Sequence, residues 1–159
     1  MNLFLLNLLL ALAWGALVGS FEPLNLVFGF FLGYLILGLS ERIHSSGQRR
    51  YIRKSLLVLQ LIGILTIDIV KANLRVAITV LSPRPALRPA VVSVPLDLHS
   101  ENSITLLSNL ITLTPGTLSL DVSSDRSLLF VHVLWLEDVE KFRAELKNGY
   151  ERRIKELME

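Results

Sequence analysis

Hydrophobic residues fill the first half of the chain and recur with helix or strand spacing in the second half. Two runs without a charged residue, Leu3–Phe21 and Leu24–Ser40, are each near the length of about 20 residues that crosses a bilayer. The residues between them end in Pro23, which suits the first position of a helix. The pattern therefore predicts a transmembrane helical hairpin over residues 1–40.

Each predicted span carries two glycines with three residues between them. The four residues are Gly15, Gly19, Gly29 and Gly33. This spacing lets helix backbones approach closely, so these glycines are candidate helix-packing positions. Glycine is also common in transmembrane helices in general, and the sequence leaves both explanations open.

A third apolar segment, residues 56–81, has its polar side chains on one face. At 100° per residue, five of them fall within about a third of the circumference. We call this set the charged stripe: Gln60, Asp68, Lys71, Arg75 and Thr79. Such a helix is predicted to lie at the membrane boundary, or partly sunk with its stripe against another subunit. A full third span is the alternative, although the uncharged part is short.

Asp68 is the acidic residue of this apolar segment, and two hypotheses account for it. A carboxylate in apolar surroundings is typical of a proton or cation site. Lys71 and Arg75 lie one and two turns away, however, which favours a neutralised stripe that docks on another subunit. We favour the docking hypothesis and keep ion handling as the alternative.

Charge is distributed unevenly along the chain. Residues 1–40 contain a single charge, Glu22, and a basic group follows directly. Its members are Arg42, Arg49, Arg50, Arg53 and Lys54. By the positive-inside rule, the basic loop predicted over residues 41–55 is cytoplasmic, and so are the N-terminus and the C-terminal part. A basic segment between apolar spans indicates contact with lipid and not with nucleic acid.

Prolines separate the membrane part from a second domain. Pro83, Pro85 and Pro89 predict a stiff extended linker over residues 82–89, because proline breaks the helical hydrogen-bond ladder. Residues 90–159 are predicted to form a small cytoplasmic α/β domain in the order β-α-β-β-α. The predicted fold class is therefore membrane α plus small α/β.

Three predicted strands and two helices make up this domain. The strands are predicted at Ala90–Leu96, 118–122 and Leu128–Trp135. Leu118, Leu120 and Val122 alternate with other residues, as on the buried face of a half-buried strand. Ser103–Leu113 is predicted as a helix, with a strand as the alternative, and a type II turn is predicted at Thr114–Thr117. Helical spacing of apolar residues from Val139 to Leu157 predicts the closing helix.

Motifs of catalysis and metal binding are absent from the sequence. The chain has no cysteine, which excludes disulfides and thiolate metal ligands. His44, His99 and His132 are scattered without metal-ligand spacing. No nucleophile elbow or phosphate-binding loop occurs. The sequence therefore predicts interfaces, with no catalytic, cofactor or metal site.

Three stretches of the sequence form a recognisable set. They are Lys71–Ala77, Leu87–Pro89 with Val94–Leu98, and Ile104–Thr117 continuing through Val122. Together they resemble the E subunits of the Mrp-type multisubunit sodium/proton antiporters. The resemblance implies a small subunit of a bacterial or archaeal inner-membrane complex that exchanges Na⁺ for H⁺. It implies a role in assembly, with the other subunits and membrane lipid as partners, and it supplies no catalytic residues.

A different class of function is the alternative to this assembly role. A stand-alone membrane anchor with a cytoplasmic ligand-sensing or adaptor module would have the same hairpin and the same small domain. The charged stripe discriminates between the two, because a free anchor has no use for charges within an apolar helix.

Overall fold

The structure is a computed structural model that describes residues 3–44, 50–83 and 87–158, with side chains for all of these except 41–44 and 50. It is mostly helical, with long apolar helices and a three-stranded antiparallel sheet. This mixture was predicted from the sequence. The chain divides into two compact units, Met1–Leu56 and Leu57–Glu159, which are described in turn.

The first unit contains α1 (Leu3–Val18), α2 (Pro23–His44) and the start of α3 (Arg50–Leu81). The end of α1 is closed by Gly19, which has a φ of +72°. Its amide donates to the carbonyl of Ala16, and the amide of Ser20 donates to the carbonyl of Gly15. This is the usual glycine-terminated helix end. Gly19, predicted as a packing position, therefore lies at the turn and in open space.

The other three glycines lie where helix backbones come close to neighbouring side chains. A Cβ added to Gly29 would lie 2.9 Å from Cβ of Trp14 on α1. One added to Gly33 would collide with Oδ1 of Asn7. One added to Gly15 would lie 3.0 Å from the ring of Phe21. The two backbones of the hairpin can thus approach because these positions lack a side chain.

Polar side chains connect the start of α3 to the hairpin, a contact that the hydrophobic pattern did not predict. Asn7 is fully buried, and its Nδ2 donates to the hydroxyl of Tyr51 over 3.1 Å. The hydroxyls of Tyr34 and Ser55 share a hydrogen bond of 2.7 Å. A polar group in apolar surroundings is costly unless it is paired. These contacts therefore specify where α3 begins against α1 and α2.

The segment predicted as a basic loop over 41–55 is helical at both ends. The second helix continues to His44, and α3 begins at Arg50. Lysine and arginine are good helix formers, so a cluster of them does not by itself indicate a loop. Arg53 and Lys54 are exposed on the first turns of α3. The rest of the predicted loop, residues 45–49 with Arg49, lies outside the described residues.

The second unit contains the rest of α3 and the C-terminal domain. The elements of the domain are β1 (Ala90–Pro95), α4 (Glu101–Leu113), β2 (Thr117–Val122), β3 (Leu128–Val133), α5 (Val139–Leu146), a π-helical turn (Lys147–Glu151) and α6 (Arg152–Met158). The strand order is β1-β3-β2, and both pairings are antiparallel. Residues 84–86 of the predicted linker lie outside the described part of the chain. Beyond them, Arg88 pairs with Trp135 in an isolated bridge.

Two local features of this domain differ from the prediction. The single closing helix is divided by the π-helical turn Lys147–Glu151. In β2 the serine faces inward, and Leu118 and Leu120 are exposed at 45% and 51%. The reason is the hydrogen bonding of Ser119, whose hydroxyl donates to the carbonyl of Ser108 on α4 over 3.0 Å. Polar contacts with α4 therefore decide which face of β2 is inside.

Gly33→Ala is expected to destabilise the hairpin by about 1–3 kcal/mol, because the new methyl group overlaps Asn7. Gly63→Ala is the matched control, since Gly63 lies within α3 and a Cβ added there would meet nothing within 4 Å. That substitution is expected to be neutral or to stabilise by up to about 1 kcal/mol. Thermal unfolding of the purified protein in mild detergent measures both. Equal melting of the two variants would contradict close packing at Gly33.

Candidate functional site at the charged stripe

One face of α3 is part of the core of the C-terminal domain. Leu61 is 7% exposed and belongs to the same buried cluster as Val133 of β3 and Tyr150 of the π-helical turn. Ile64 and Leu65 pack against this cluster. Seven residues make nearly two helical turns, so Asp68 and Arg75 lie on the same side as Leu61. Asp68 and Arg75 of the charged stripe thus face the domain of their own chain, whereas the sequence pattern predicted that they dock on another subunit.

Asp68 is bound by a tyrosine from the far end of the sequence. The hydroxyl of Tyr150 donates to Oδ2 of Asp68 over 2.6 Å. Tyr150 is 6% exposed. Burial, followed by the hydrogen bond to the Asp68 carboxylate, raises the pKa of Tyr150 well above its ordinary value. The tyrosine therefore stays protonated and keeps donating across the physiological pH range.

Arg75 makes two looser contacts nearly two turns beyond Asp68. Its Nη2 lies 3.6 Å from Oε1 of Glu137, and both side chains are more than half exposed. Its guanidinium carbon lies 5.7 Å from the ring centroid of Trp135. An exposed ion pair contributes about 0–1 kcal/mol, and an exposed cation–π contact a similar amount. These contacts orient Arg75 more than they stabilise the fold.

The ring of Trp135 packs against the turn that precedes β2, at Gly116. The amide of Thr117 donates to the carbonyl of Thr114 over 3.1 Å, and Gly116 between them has a φ of +92°. The predicted type II turn has this geometry. A Cβ on Gly116 would collide with the ring of Trp135. Glycine is therefore needed here both for the backbone and for the approach of the indole.

The π-helical turn contains two consecutive residues that bind different elements. Tyr150 donates to Asp68 on α3, and Glu151 accepts from the loop after β1. Glu151 is 2% exposed, and its Oε1 accepts a hydrogen bond from the amide of Asp97 after β1. Burial raises the pKa of Glu151. Single π-helical turns are often found at functional positions. Here the extra residue lets Tyr150 reach α3 while Glu151 reaches the loop after β1.

A cleft of about 600 Å³ lies between α3 and the domain. Asp68, Lys71 and Arg75 line it from the helix side. The charged side chains on its other wall are Glu137, Asp138, Lys141 and Glu145. The other two stripe residues do not line it. Gln60 is exposed, and the hydroxyl of Thr79 donates to the carbonyl of Arg75 over 2.7 Å.

The arrangement holds elements of the chain together. The Asp68 carboxylate is occupied by Tyr150, and Arg75 has its contacts within the same chain. Among the described residues, no group of three histidine, aspartate or glutamate side chains is placed to hold a metal ion. The stripe was predicted from the sequence, but its partners Tyr150 and Trp135 were not. From the sequence, Tyr150 was predicted only as one of the regularly spaced apolar residues of the closing helix, with no contact to α3.

Tyr150→Phe is expected to lower the free energy of unfolding by about 1.5–3 kcal/mol, because it removes a buried hydrogen bond to a carboxylate. The folded chain holds the phenolic proton to higher pH than the unfolded chain does. This stabilisation is therefore complete below about pH 10 and is lost as the pH rises through the folded-state pKa. Denaturation followed by Trp135 fluorescence, in a Trp14→Phe background, measures the effect at about pH 8 and above about pH 10.

Glu137→Gln serves as the control for this measurement. It removes the exposed ion pair to Arg75 and should cost no more than about 1 kcal/mol. A Tyr150→Phe protein with the same stability and the same alkaline profile as the parent would show that the Asp68 contact is unimportant.

Comparison with known proteins identifies the family. Residues 7–157 match a family model described as Na⁺/H⁺ ion antiporter subunit. The E subunit of the Na⁺/H⁺ antiporter of Bacillus subtilis (strain 168) is 35% identical over 153 residues, which cover 96% of each chain. The E1 subunit of the Na⁺/H⁺ antiporter of Staphylococcus haemolyticus (strain JCSC1435) is 36% identical over 155 residues, covering 98% of this chain and 96% of that protein.

A solved structure has the same fold over the whole length. A chain of the membrane-bound sulfane sulfur reductase, an archaeal respiratory membrane complex, superposes with a TM-score of 0.61 at 24% identity. The match covers 99% of this chain and all of that one. By the family model and by its relatives, this chain belongs to the family of Na⁺/H⁺ ion antiporter subunits.

Proposed function

We propose that this chain is an accessory subunit of a multisubunit Na⁺/H⁺ antiporter in the cell membrane, where it supports assembly and contributes no ion-binding residue. Family membership supports the antiporter complex. The observation that carries the accessory role is the Asp68–Tyr150 hydrogen bond. It engages the one carboxylate of the apolar helix in a contact within the chain, and Na⁺ and H⁺ then move through other subunits.

We further propose that α3 lies along the membrane boundary. The domain contacts one face of α3 from Leu61 to Arg75, a distance of about 21 Å. If these turns crossed the hydrocarbon core of about 30 Å, the charged domain packed beside them would have to enter it. A helix parallel to the surface keeps the domain in water, so the contacts favour the boundary position.

The opposite face of α3 has the composition that this position requires. Its side chains are apolar and more than half exposed: Leu59, Ile62, Ile67, Val70, Leu74 and Ile78. Two polar residues on this side are internally satisfied. Thr66 and Asn73 donate to the carbonyls of Ile62 and Ile69 over 2.8 Å each. A helix with one apolar face and hidden polar groups is suited to burial in the headgroup and acyl boundary.

The hairpin and the positive-inside rule complete the proposed topology. Two helices are long and apolar enough to cross a membrane, α2 over Pro23–Ser40 and α3 over Tyr51–Leu81, and α1 is a shorter apolar helix. For α3 we give more weight to the domain packed along it than to its length and composition. We propose that α1 and α2 span the membrane, that the turn with Glu22 is external, and that the N-terminus and residues 90–159 are cytoplasmic. This proposal rests on the basic residues at 42–54.

Single cysteines test this topology, since the chain has none of its own. A cysteine at Ser124, in the exposed turn before β3, should not react with an impermeant thiol reagent on intact cells, and should react after permeabilisation. A cysteine at Glu22 is the matched control and should react from outside. Labelling of both positions on intact cells would mean that α3 crosses the membrane.

Substitutions at Asp68 test the accessory role. Asp68→Ala leaves the buried Tyr150 hydroxyl without its acceptor, at a cost of about 1–3 kcal/mol, and should lower the yield of assembled complex. Lys71→Ala is the control, because Lys71 lines the same cleft but makes no ion pair within the described part of the chain. Complex yield and antiport are measured in the same membranes.

The isosteric change Asp68→Asn separates assembly from ion handling. The complexes that form with this variant should show a normal cation dependence of antiport. Full assembly with abolished antiport would contradict the proposal and identify Asp68 as a proton or cation site.

A further inference from the structure

The middle of the closing helix is held by side chains as well as by its own backbone. In the π-helical turn the amide of Arg152 donates to the carbonyl of Lys147, five residues before it, whereas an α-helical hydrogen bond reaches back four residues. The carbonyl of Asn148 thereby loses its α-helical partner. The guanidinium of Arg153 donates to this carbonyl over 2.8 Å and to that of Gly149 over 2.7 Å. The conformation of the turn therefore depends on side-chain contacts.

The turn and α6 together hold the loop after β1 at a single residue, Asp97. The amide of Asp97 donates to Oε1 of Glu151. Its carboxylate accepts from Nζ of Lys147 over 2.9 Å, and its carbonyl accepts from Nζ of Lys155 over 3.1 Å. Three residues further on, the side chain of Ser100 caps the start of α4. The path of the chain into α4 is thus fixed by the closing helix.

The two outward contacts of the turn require the same backbone conformation. Tyr150 donates to Asp68 on α3, and the next residue, Glu151, binds Asp97. Consecutive residues cannot move independently, because one rigid peptide plane joins their Cα atoms at about 3.8 Å. A contact that orders the turn for one of these side chains therefore lowers the entropy cost of the contact made by the other.

We infer that the π-helical turn couples the attachment of α3 to the position of the loop after β1. While Tyr150 is bound to Asp68, the turn is ordered and Glu151 holds the amide of Asp97. When the contact of Tyr150 is broken, Glu151 releases that amide, and a displacement of α3 is transmitted to the start of α4. The coupling is reciprocal. It goes beyond the proposed function, because it is a property of this chain alone and requires no other subunit.

Amide hydrogen exchange of the full-length chain in mild detergent, resolved by residue, tests this coupling. Tyr150→Phe removes the hydroxyl that binds Asp68 and leaves the ring in the core. Coupling between two sites typically changes an equilibrium by about 5–150-fold. Exchange of the Asp97 amide should therefore become at least about fivefold faster, relative to exchange of the Leu96 amide.

The amide of Leu96 is the reference within the same molecule, because it donates to the carbonyl of Ser127 over 2.9 Å and not to the closing helix. A loss of stability of the whole domain accelerates both amides equally. Glu137→Gln is the matched control variant, since it removes a contact of α3 that does not involve the turn. It should leave the ratio of the two rates unchanged. Equal acceleration of the Leu96 and Asp97 amides in Tyr150→Phe, or no acceleration, would overturn the inference.

A double-mutant cycle measures the reciprocal effect. Glu151→Met removes the carboxylate that holds Asp97 and keeps an unbranched side chain. In this background, Tyr150→Phe should lower the folding equilibrium constant by a factor at least about five times smaller than in the parent. Lys155→Met is the control, because Lys155 also holds Asp97 but lies beyond the turn. There the effect of Tyr150→Phe should agree with the parent within about twofold. Equal effects in the two backgrounds would contradict the coupling.

Discussion

The packing of α3 against the C-terminal domain is the constraint on which the rest of the second unit depends. Leu61 and Asp68 lie on one side of the helix, where one enters the core and the other accepts the hydroxyl of Tyr150. The remaining circumference is then left to apolar side chains such as Val70. A helix fixed in this way has one face for the domain and one exposed apolar face. In the proposed topology the exposed face is the one that contacts lipid.

Much of this architecture could be predicted because its causes are local. Uncharged runs of helical length predicted α1 and α2, and Pro23 is observed at the first position of α2. The turn before β2 was predicted from a proline and a glycine at adjacent positions, and Gly116 has the positive φ that such a turn needs. Hydrophobic periodicity and turn chemistry act over a few residues, so a single sequence contains the information.

The site could be predicted only in part, because its partners come from distant parts of the chain. The stripe was apparent from helical spacing, but Asp68 and Tyr150 are 82 residues apart, and no periodic signal connects them. The exposed position of Leu118 and Leu120 depends likewise on the hydrogen bond between Ser119 and α4. The alternation of residues in β2 predicted a strand with two different faces. The hydrogen bond from Ser119 to Ser108 on α4 decides which of them faces the core.

These contacts limit where another subunit can bind the second unit. The charged face of α3 is engaged by its own domain through Asp68 and Arg75, and in the proposed topology its apolar face is engaged by lipid. A change in the domain can reach α3 through Tyr150, because that side chain joins the core to Asp68. In the proposed topology, an accessory subunit of this kind attaches its domain to the membrane through α3, and the contacts that do so use Asp68 and Tyr150 for structure.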